Sequence, residues 1–309
     1  MTRIVFCASH TDPRRWIEGL ARHLPDSSVT DFDPEDATPA DYAVVWAPPA
    51  VLFEKQTHLK AIFNLGAGVD ALTRMPNLPA DVPVVRLGDA GMSVQMAEYV
   101  CHAVIRHSRE LDRFEADLRC HEWHFRKPTI RAQFPVGVMG LGAIGRRVAG
   151  ALATFEFPVF GWSLGAHAIP GVQCFCGSEG LAPFLGSVRI LVCILPLTAA
   201  TDSILNRQNL SQLKDDAYLI NVARGAHLVD QDLVDLLAEG KLAGATLDVF
   251  REEPLPAGHP FWGDARIVMT PHIAARTLRE DSLAQIAGKI LQLERGLPID
   301  GIVDRARGY

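Results

Sequence analysis

The chain has 309 residues, enough for two domains that each bury their own core. Hydrophobic residues make up 48% and charged residues 21%, the balance of an ordinary soluble globular protein. A net charge of −6 leaves no electrostatic footprint for nucleic acid or an anionic membrane, and no apolar run approaches the roughly 20 residues that span a bilayer.

The opening M-T-R-I-V-F-C-A-S-H is too short in its apolar part for a signal-peptide core and reads as a first strand, Arg3–Ala8. Ala43–Trp46, Ala61–Leu65 and Val82–Leu87 are further short apolar runs bounded by turn residues, and W-I-E-G-L-A-R-H-L carries apolar positions at helical spacing. Pro48–Pro49 and G-A-G-V-D (Gly66 to Asp70) follow strands. They read equally as binding loops or as plain turns. From Val94 to about Arg119 the pattern is one long helix joining two α/β units. His121-Glu122-Trp123-His124 lacks the second helical turn of H-E-x-x-H and a nearby third ligand, so no metal site is expected. The six scattered cysteines have no ligand spacing and read as reduced, buried, cytosolic thiols.

The stretch Pro135 to Gly145, P-V-G-V-M-G-L-G-A-I-G, organises the rest. A buried strand leads into Gly140, Gly142 and Gly145, a complete G-x-G-x-x-G, and a helix follows. The first glycine lets the chain turn off the strand, the second lets backbone approach a pyrophosphate, and the third lets helix and strand pack closely. Free N–H groups at the helix start, around Ala143 and Ile144, would receive the diphosphate.

Alternation then continues through strands Val159–Trp162, Ile190–Leu195, Ala217–Val222, Ala243–Asp248 and Ile267–Thr270, with a helix at Asp230–Glu239. This argues for a doubly wound parallel sheet of the Rossmann kind. Three strand exits present a cation, a carboxylate and an imidazole in chain order: Arg224, Glu253 and His272. Each alone reads as a surface charge, a helix-start acid or a structural histidine. Together, beyond the carboxyl ends of strands in the nucleotide domain, they read as a catalytic set.

N-V-A-R-G (Asn221 to Gly225), L-D-V-F-R-E-E-P-L-P (Leu247 to Pro256) and T-P-H-I-A-A (Thr270 to Ala275) resemble signature segments of the D-isomer-specific 2-hydroxyacid dehydrogenases. Within that family the chain is most similar to the A-type glyoxylate/hydroxypyruvate reductases of bacteria. W-I-E near Trp16, D-Y-A-V-V-W-A-P-P, L-G-A-G-V-D, Glu98–Tyr99 and the closing V-D-R-A-R-G-Y extend the likeness over nearly the whole length. The resemblance implies a Rossmann cofactor domain (98–274) inserted into a flavodoxin-like α/β substrate domain (1–97 and 275–309). It also implies a cytoplasmic homodimer, formed through the cofactor domains and the long helix.

The resemblance further implies a mechanism. A reduced nicotinamide gives a hydride to a small 2-keto acid, His272 supplies the proton as general acid, Glu253 orients the imidazole and favours its charged form, and Arg224 binds the carboxylate and carbonyl. The backbone N–H groups of Ala67, Gly68 and Val69 would hold the carboxylate, cleft closure would exclude water, and Trp46 and Met92 would line the pocket. Leu195, Pro196, Val222, Ala223 and Asp248 correspond to cofactor positions. Glyoxylate and hydroxypyruvate are the expected substrates. Another small D-2-hydroxy acid is the alternative, and a nicotinamide-sensing corepressor a remoter one. Arg276 departs from the family pattern and, if Ile273 onward is helical, lies one turn beyond His272 as a solvated charge or a second cation in the pocket.

Cofactor choice draws on both sources. No Asp or Glu lies between Glu156 and Glu179, so the acid that would repel a 2′-phosphate is absent after Ser163. The basic residues that the A-type enzymes carry there are replaced by Leu164-Gly165-Ala166-His167. Ser163 and His167 could still donate hydrogen bonds, as could an Arg from a distant loop. NADP is the expected cofactor, with NAD second.

Overall fold

The computed structural model describes residues 1–309 apart from His10, Ala37 and Tyr309, so the tyrosine closing V-D-R-A-R-G-Y and the histidine closing the first strand segment lie outside the described residues. The chain forms two compact units, Met1–Met92 with Arg276–Tyr309, and Ser93–Ala275. The first crossing thus falls five residues before the one expected near 97, and the second falls at the expected 275.

The first unit begins with β1 (Thr2–Ala8), α1 (Pro13–His23), β2 (Ser27–Asp31), β3 (Tyr42–Trp46), α2 (Val51–Lys55), β4 (Ala61–Asn64), α3 (Asp70–Thr73) and β5 (Val84–Arg86). Its five strands are parallel in the order β2-β1-β3-β4-β5, the flavodoxin-like order. Ile4, Phe6, Val44 and Phe63 fill one core, while Val5, Val45 and Ile62 fill another. Both faces are therefore covered, which is why these strands read as unbroken apolar runs. Asp12 caps α1 by accepting from Arg14 N, and Pro13 sits where its missing N–H costs nothing.

The second unit runs through α4 (Met92–Ser108), α5 (Leu111–Arg119), β6 (Val136–Met139), α6 (Ala143–Thr154), β7 (Val159–Ser163), β8 (Val172–Cys176), α7 (Leu181–Ser187) and β9 (Ile190–Cys193). It continues with α8 (Arg207–Leu210), β10 (Ala217–Asn221), α9 (Asp230–Ala238), β11 (Leu242–Leu247) and β12 (Ile267–Met269). Seven parallel strands in the order β12-β11-β10-β9-β6-β7-β8 make the doubly wound sheet. The last helix, α10 (Arg279–Glu294), returns to the first unit, where the Leu283 side chain occupies the space a Cβ on Gly19 of α1 would need.

Several expectations require correction. The helix expected over Val94–Arg119 is broken at Glu110, whose φ of 55° is left-handed, and α5 buries none of its residues. Continuity has no core to enforce it there, unlike in α4, where Val100 and Val104 are fully buried. Strands β2 and β8 were not anticipated. Both are edge strands, partly exposed, with sequences (S-S-V-T-D and V-Q-C-F-C) that lack a strong apolar run. Six expected strands stop one or two residues early, and their last residues belong to the exit loops. Of the cysteines only Cys101 and Cys193 are buried; Cys120 after α5 and Cys176 at the end of edge strand β8 are exposed, and all six are unpaired.

Candidate active site

In the seven-stranded sheet the order reverses between the adjacent strands β6 and β9, the position where doubly wound sheets open a crevice beyond their carboxyl ends. Gly140 leaves β6 at φ 100°, and a Cβ there would meet Ile194 O at 2.7 Å. A Cβ on Gly145 would lie 1.8 Å from Gly140 O, so helix and strand approach too closely for any side chain. At Gly142 nothing stands within 4 Å, and this exposed residue is the N-cap of α6, whose first residues are Ala143 and Ile144. Free amides around an open backbone fit a diphosphate, so the residues present suit a dinucleotide. Ser163 ends β7, and its hydroxyl donates to Gly165 O at 2.8 Å, closing the turn. Leu195 is buried and Pro196 exposed just beyond β9.

The β10 exit is built by buried polar groups. Asn221, fully buried, accepts from Ala223 N at 3.2 Å and donates to Arg224 O at 3.0 Å. His227 is also fully buried. Its neutral ring places Nδ1 3.2 Å from Arg224 N and 3.0 Å from Arg224 O, and Nε2 3.3 Å from Pro196 O. Burial pushes the His227 pKa down and keeps it in this neutral form. Val222 and Ala223 are buried in the exit, and the Arg224 guanidinium is half-buried with Nη1 on Ala223 O at 2.8 Å. Gly225 is the tight point. A Cβ there would lie 1.8 Å from the carbonyl carbon of Phe250, so only glycine lets the Arg224 loop lie against the loop that carries Glu253.

At the exits of β11 and β12 a buried carboxylate organises the histidine. Asp248 Oδ1 accepts from Thr270 Oγ1 at 2.6 Å and Ile273 N at 2.8 Å, and Oδ2 accepts from Ala274 N at 2.8 Å. Because Thr270 spends its hydroxyl hydrogen on Asp248, Tyr99 OH donates to Thr270, and burial raises the Tyr99 pKa to about 12. His272 stands in this clamped loop at φ 54°, with its N–H on Asp248 O at 2.8 Å. Its Nδ1 is 2.8 Å from Glu253 Oε2, and Glu253 Oε1 accepts from Phe250 N at 2.9 Å. The carboxylate is thus held at both oxygens, Nε2 of His272 is left facing outward from the pair, and the imidazole is accessible.

The remaining expected substrate residues belong to the first unit. The Trp46 side chain covers Gly66, where a Cβ would meet its ring at 2.3 Å. Asn64, buried at the end of β4, donates to Gly66 O at 2.9 Å and Gly68 O at 3.0 Å. Planar trans peptides then turn the N–H groups of Ala67 and Val69 away from Asn64. Among the described residues the amides of Ala67, Gly68 and Val69 donate to no acceptor. Met92 is buried where α4 begins. The helical placement of Arg276 does not hold. Residues 271–278 are non-helical, with the Ile273 and Ala274 amides held by Asp248, and the next helix starts at Arg279. In the second unit Asp117, Glu122 and His124 come together, but Asp117 is already ion-paired with Arg126, and Glu122 and His124 are exposed.

Residues 101–274 match the family described as D-isomer specific 2-hydroxyacid dehydrogenase, NAD binding domain. The chain is 44% identical over 311 residues to glyoxylate/hydroxypyruvate reductase A of Serratia proteamaculans, with 99% of each chain covered. A D-isomer specific 2-hydroxyacid dehydrogenase from Xanthobacter autotrophicus Py2, solved with NADPH and MES, is 40% identical with a TM-score of 0.94, covering 100% of this chain and 99% of that one. An NADPH-dependent glyoxylate/hydroxypyruvate reductase from Sinorhizobium meliloti, solved with NADP and sulfate, is 35% identical with a TM-score of 0.94 over 100% of both.

Proposed function

The chain belongs to the D-isomer-specific 2-hydroxyacid dehydrogenases, and from that premise we propose that it reduces glyoxylate to glycolate and hydroxypyruvate to D-glycerate with NADPH. The observation that carries the reading is the His272–Glu253 pair, 2.8 Å apart, in the same strand-exit edge as Arg224 and the open backbone at Gly142. Gly140, Gly142, Ala143, Ile144 and Gly145 would hold the dinucleotide diphosphate, with Leu195, Pro196, Val222 and Ala223 as further cofactor positions. When bound, the dinucleotide supplies the hydride.

The protein's own groups supply charge and a proton. Negative charge grows on the substrate oxygen as its carbon is reduced, and His272 Nε2 delivers a proton to that oxygen. Glu253 fixes the ring through Nδ1 and compensates the imidazolium charge. Arg224 binds the substrate carboxylate with its planar fork, which a lysine does not reproduce. Asp248 serves by fixing the loop that presents His272. In the first unit we assign the amides of Ala67, Gly68 and Val69, with Trp46 and Met92, to substrate binding.

We assign a homodimer as well. Leu118, Trp123, Phe125 and Ile130 are exposed apolar residues in and after α5, a surface suited to a second copy. Among the described residues no helix is long and apolar enough to cross a membrane. From the likeness to the glyoxylate/hydroxypyruvate reductases we place the enzyme in the cytoplasm.

A panel of small 2-keto acids, each followed by loss of reduced-nicotinamide absorbance, tests the activity. Glyoxylate and hydroxypyruvate should lead the panel. Preference for a branched or aromatic 2-keto acid would overturn the substrate, and silence across the panel would overturn the activity.

A further inference from the structure

An arginine from the helix of the glycine loop reaches the loop after β7. Arg146, in the first turn of α6, donates from Nε to Leu141 O at 3.0 Å and contacts His167 Nδ1 through Nη2 at 2.8 Å. The guanidinium therefore bridges the glycine loop and the Leu164–His167 turn. Guanidinium nitrogens only donate, so His167 Nδ1 is the acceptor and its Nε2 carries the hydrogen. Among the described residues Arg146 has no carboxylate partner, although it is exposed and charged. In Rossmann domains the second strand ends beside the adenosine ribose, where an acid selects a 2′-hydroxyl and a cation admits a 2′-phosphate. Here β7 ends at Ser163, and no acid occurs between Glu156 and Glu179. Ser163 itself offers no donor, because its hydroxyl hydrogen is committed to Gly165 O.

Resting on the NADPH reading, we propose that Arg146 and His167 together form the seat for the 2′-phosphate of the cofactor, a clamp delivered by α6 rather than by the turn after β7. The Leu141 carbonyl holds the guanidinium edge in place, and the remaining Nη hydrogens with His167 Nε2–H are free to meet phosphate oxygens. Arg146 is the dominant partner because its charge is fixed and its donors form a planar fork.

Calorimetric titration of the full-length protein with 2′,5′-ADP and with 5′-AMP isolates the 2′-phosphate from the rest of the cofactor. Wild type should bind 2′,5′-ADP the more tightly. Arg146→Ala should weaken 2′,5′-ADP by about tenfold or more, the scale of losing hydrogen bonds to a charged group, while 5′-AMP changes by less than about twofold and shows that the domain is intact. His167→Ala should lose less, and Arg146→Lys should fall between wild type and Arg146→Ala. An unchanged preference in Arg146→Ala would overturn the clamp and leave the NADPH reading standing. Equal weakening of both ligands would also overturn it, because Arg146 would then act on the shape of the glycine loop through Leu141. Wild type binding 5′-AMP as tightly as 2′,5′-ADP would overturn the NADPH reading and the clamp with it.

Discussion

Glu253 Oε2 and His272 Nδ1 stand 2.8 Å apart although they leave different strands, and Glu253 is fixed from behind by the Phe250 amide. A pair held this way acts as one unit. Glu253→Gln should lower kcat by about tenfold or more, and His272→Ala by about a hundredfold or more. Joining the two changes should cost little beyond His272→Ala alone, because the carboxylate works through the imidazole. Steady-state kinetics on the three variants reads the coupling; independent, multiplying losses would separate Glu253 from His272.

Arg224 is presented by a loop that Asn221 and the buried His227 hold together. Arg224→Ala should raise KM and lower kcat together, since the guanidinium touches substrate before and during reduction. Arg224→Lys should recover only a small part of the loss, because an ammonium cannot bind the carboxylate as a fork. Full activity in the lysine variant would show that charge alone suffices.

Gly225 separates structure from chemistry. A methyl group there would sit 1.8 Å from the Phe250 carbonyl carbon, a contact that only backbone movement relieves. Gly225→Ala should lower stability by about 2 kcal/mol or more and should reduce activity further than heat stability implies, since it pushes the Arg224 and Glu253 loops apart. Thermal unfolding together with kcat/KM tests this. A variant that keeps wild-type Tm and turnover would contradict the close approach.

His107 stacks on Tyr218 with ring centroids 4.0 Å apart, and its buried Nε2 has no hydrogen-bond partner among the described residues. Burial pushes its pKa from 6.5 down to about 4. Between those values the unfolded chain binds a proton that the folded chain refuses. The stability it contributes is therefore present above about 6.5 and is lost as pH falls towards 4, by about 1–3 kcal/mol. His107→Phe should flatten the loss of Tm across that window. An unchanged slope in denaturant unfolding measured from pH 7 to pH 4.5 would remove His107 from acid sensitivity.

The legible parts of the sequence were those whose chemistry is local. Gly140 and Gly145 announce the strand–turn–helix because the turn and the close packing require glycine at those places, and Gly142 leaves the backbone open between them. Arg224, Glu253 and His272 stand out in the sequence because each lies in the loop that follows an apolar strand run. What sequence spacing could not show depends on tertiary meetings. Arg146 and His167 are 21 residues apart and neither belongs to an apolar pattern. Asn64, Asn221 and His227 look like ordinary polar residues until their turns close around them, although a polar residue ending a buried strand is a usable signal. The break at Glu110 has no signal in the sequence because apolar spacing continues into α5, which buries none of its residues.

The most direct test of the account is reduction of hydroxypyruvate by the purified protein, with NADPH oxidation and product configuration followed together. NADPH should be consumed one for one with formation of D-glycerate, and kcat/KM should be higher with NADPH than with NADH. Failure to oxidise NADPH with either hydroxypyruvate or glyoxylate, or formation of L-glycerate, would contradict it.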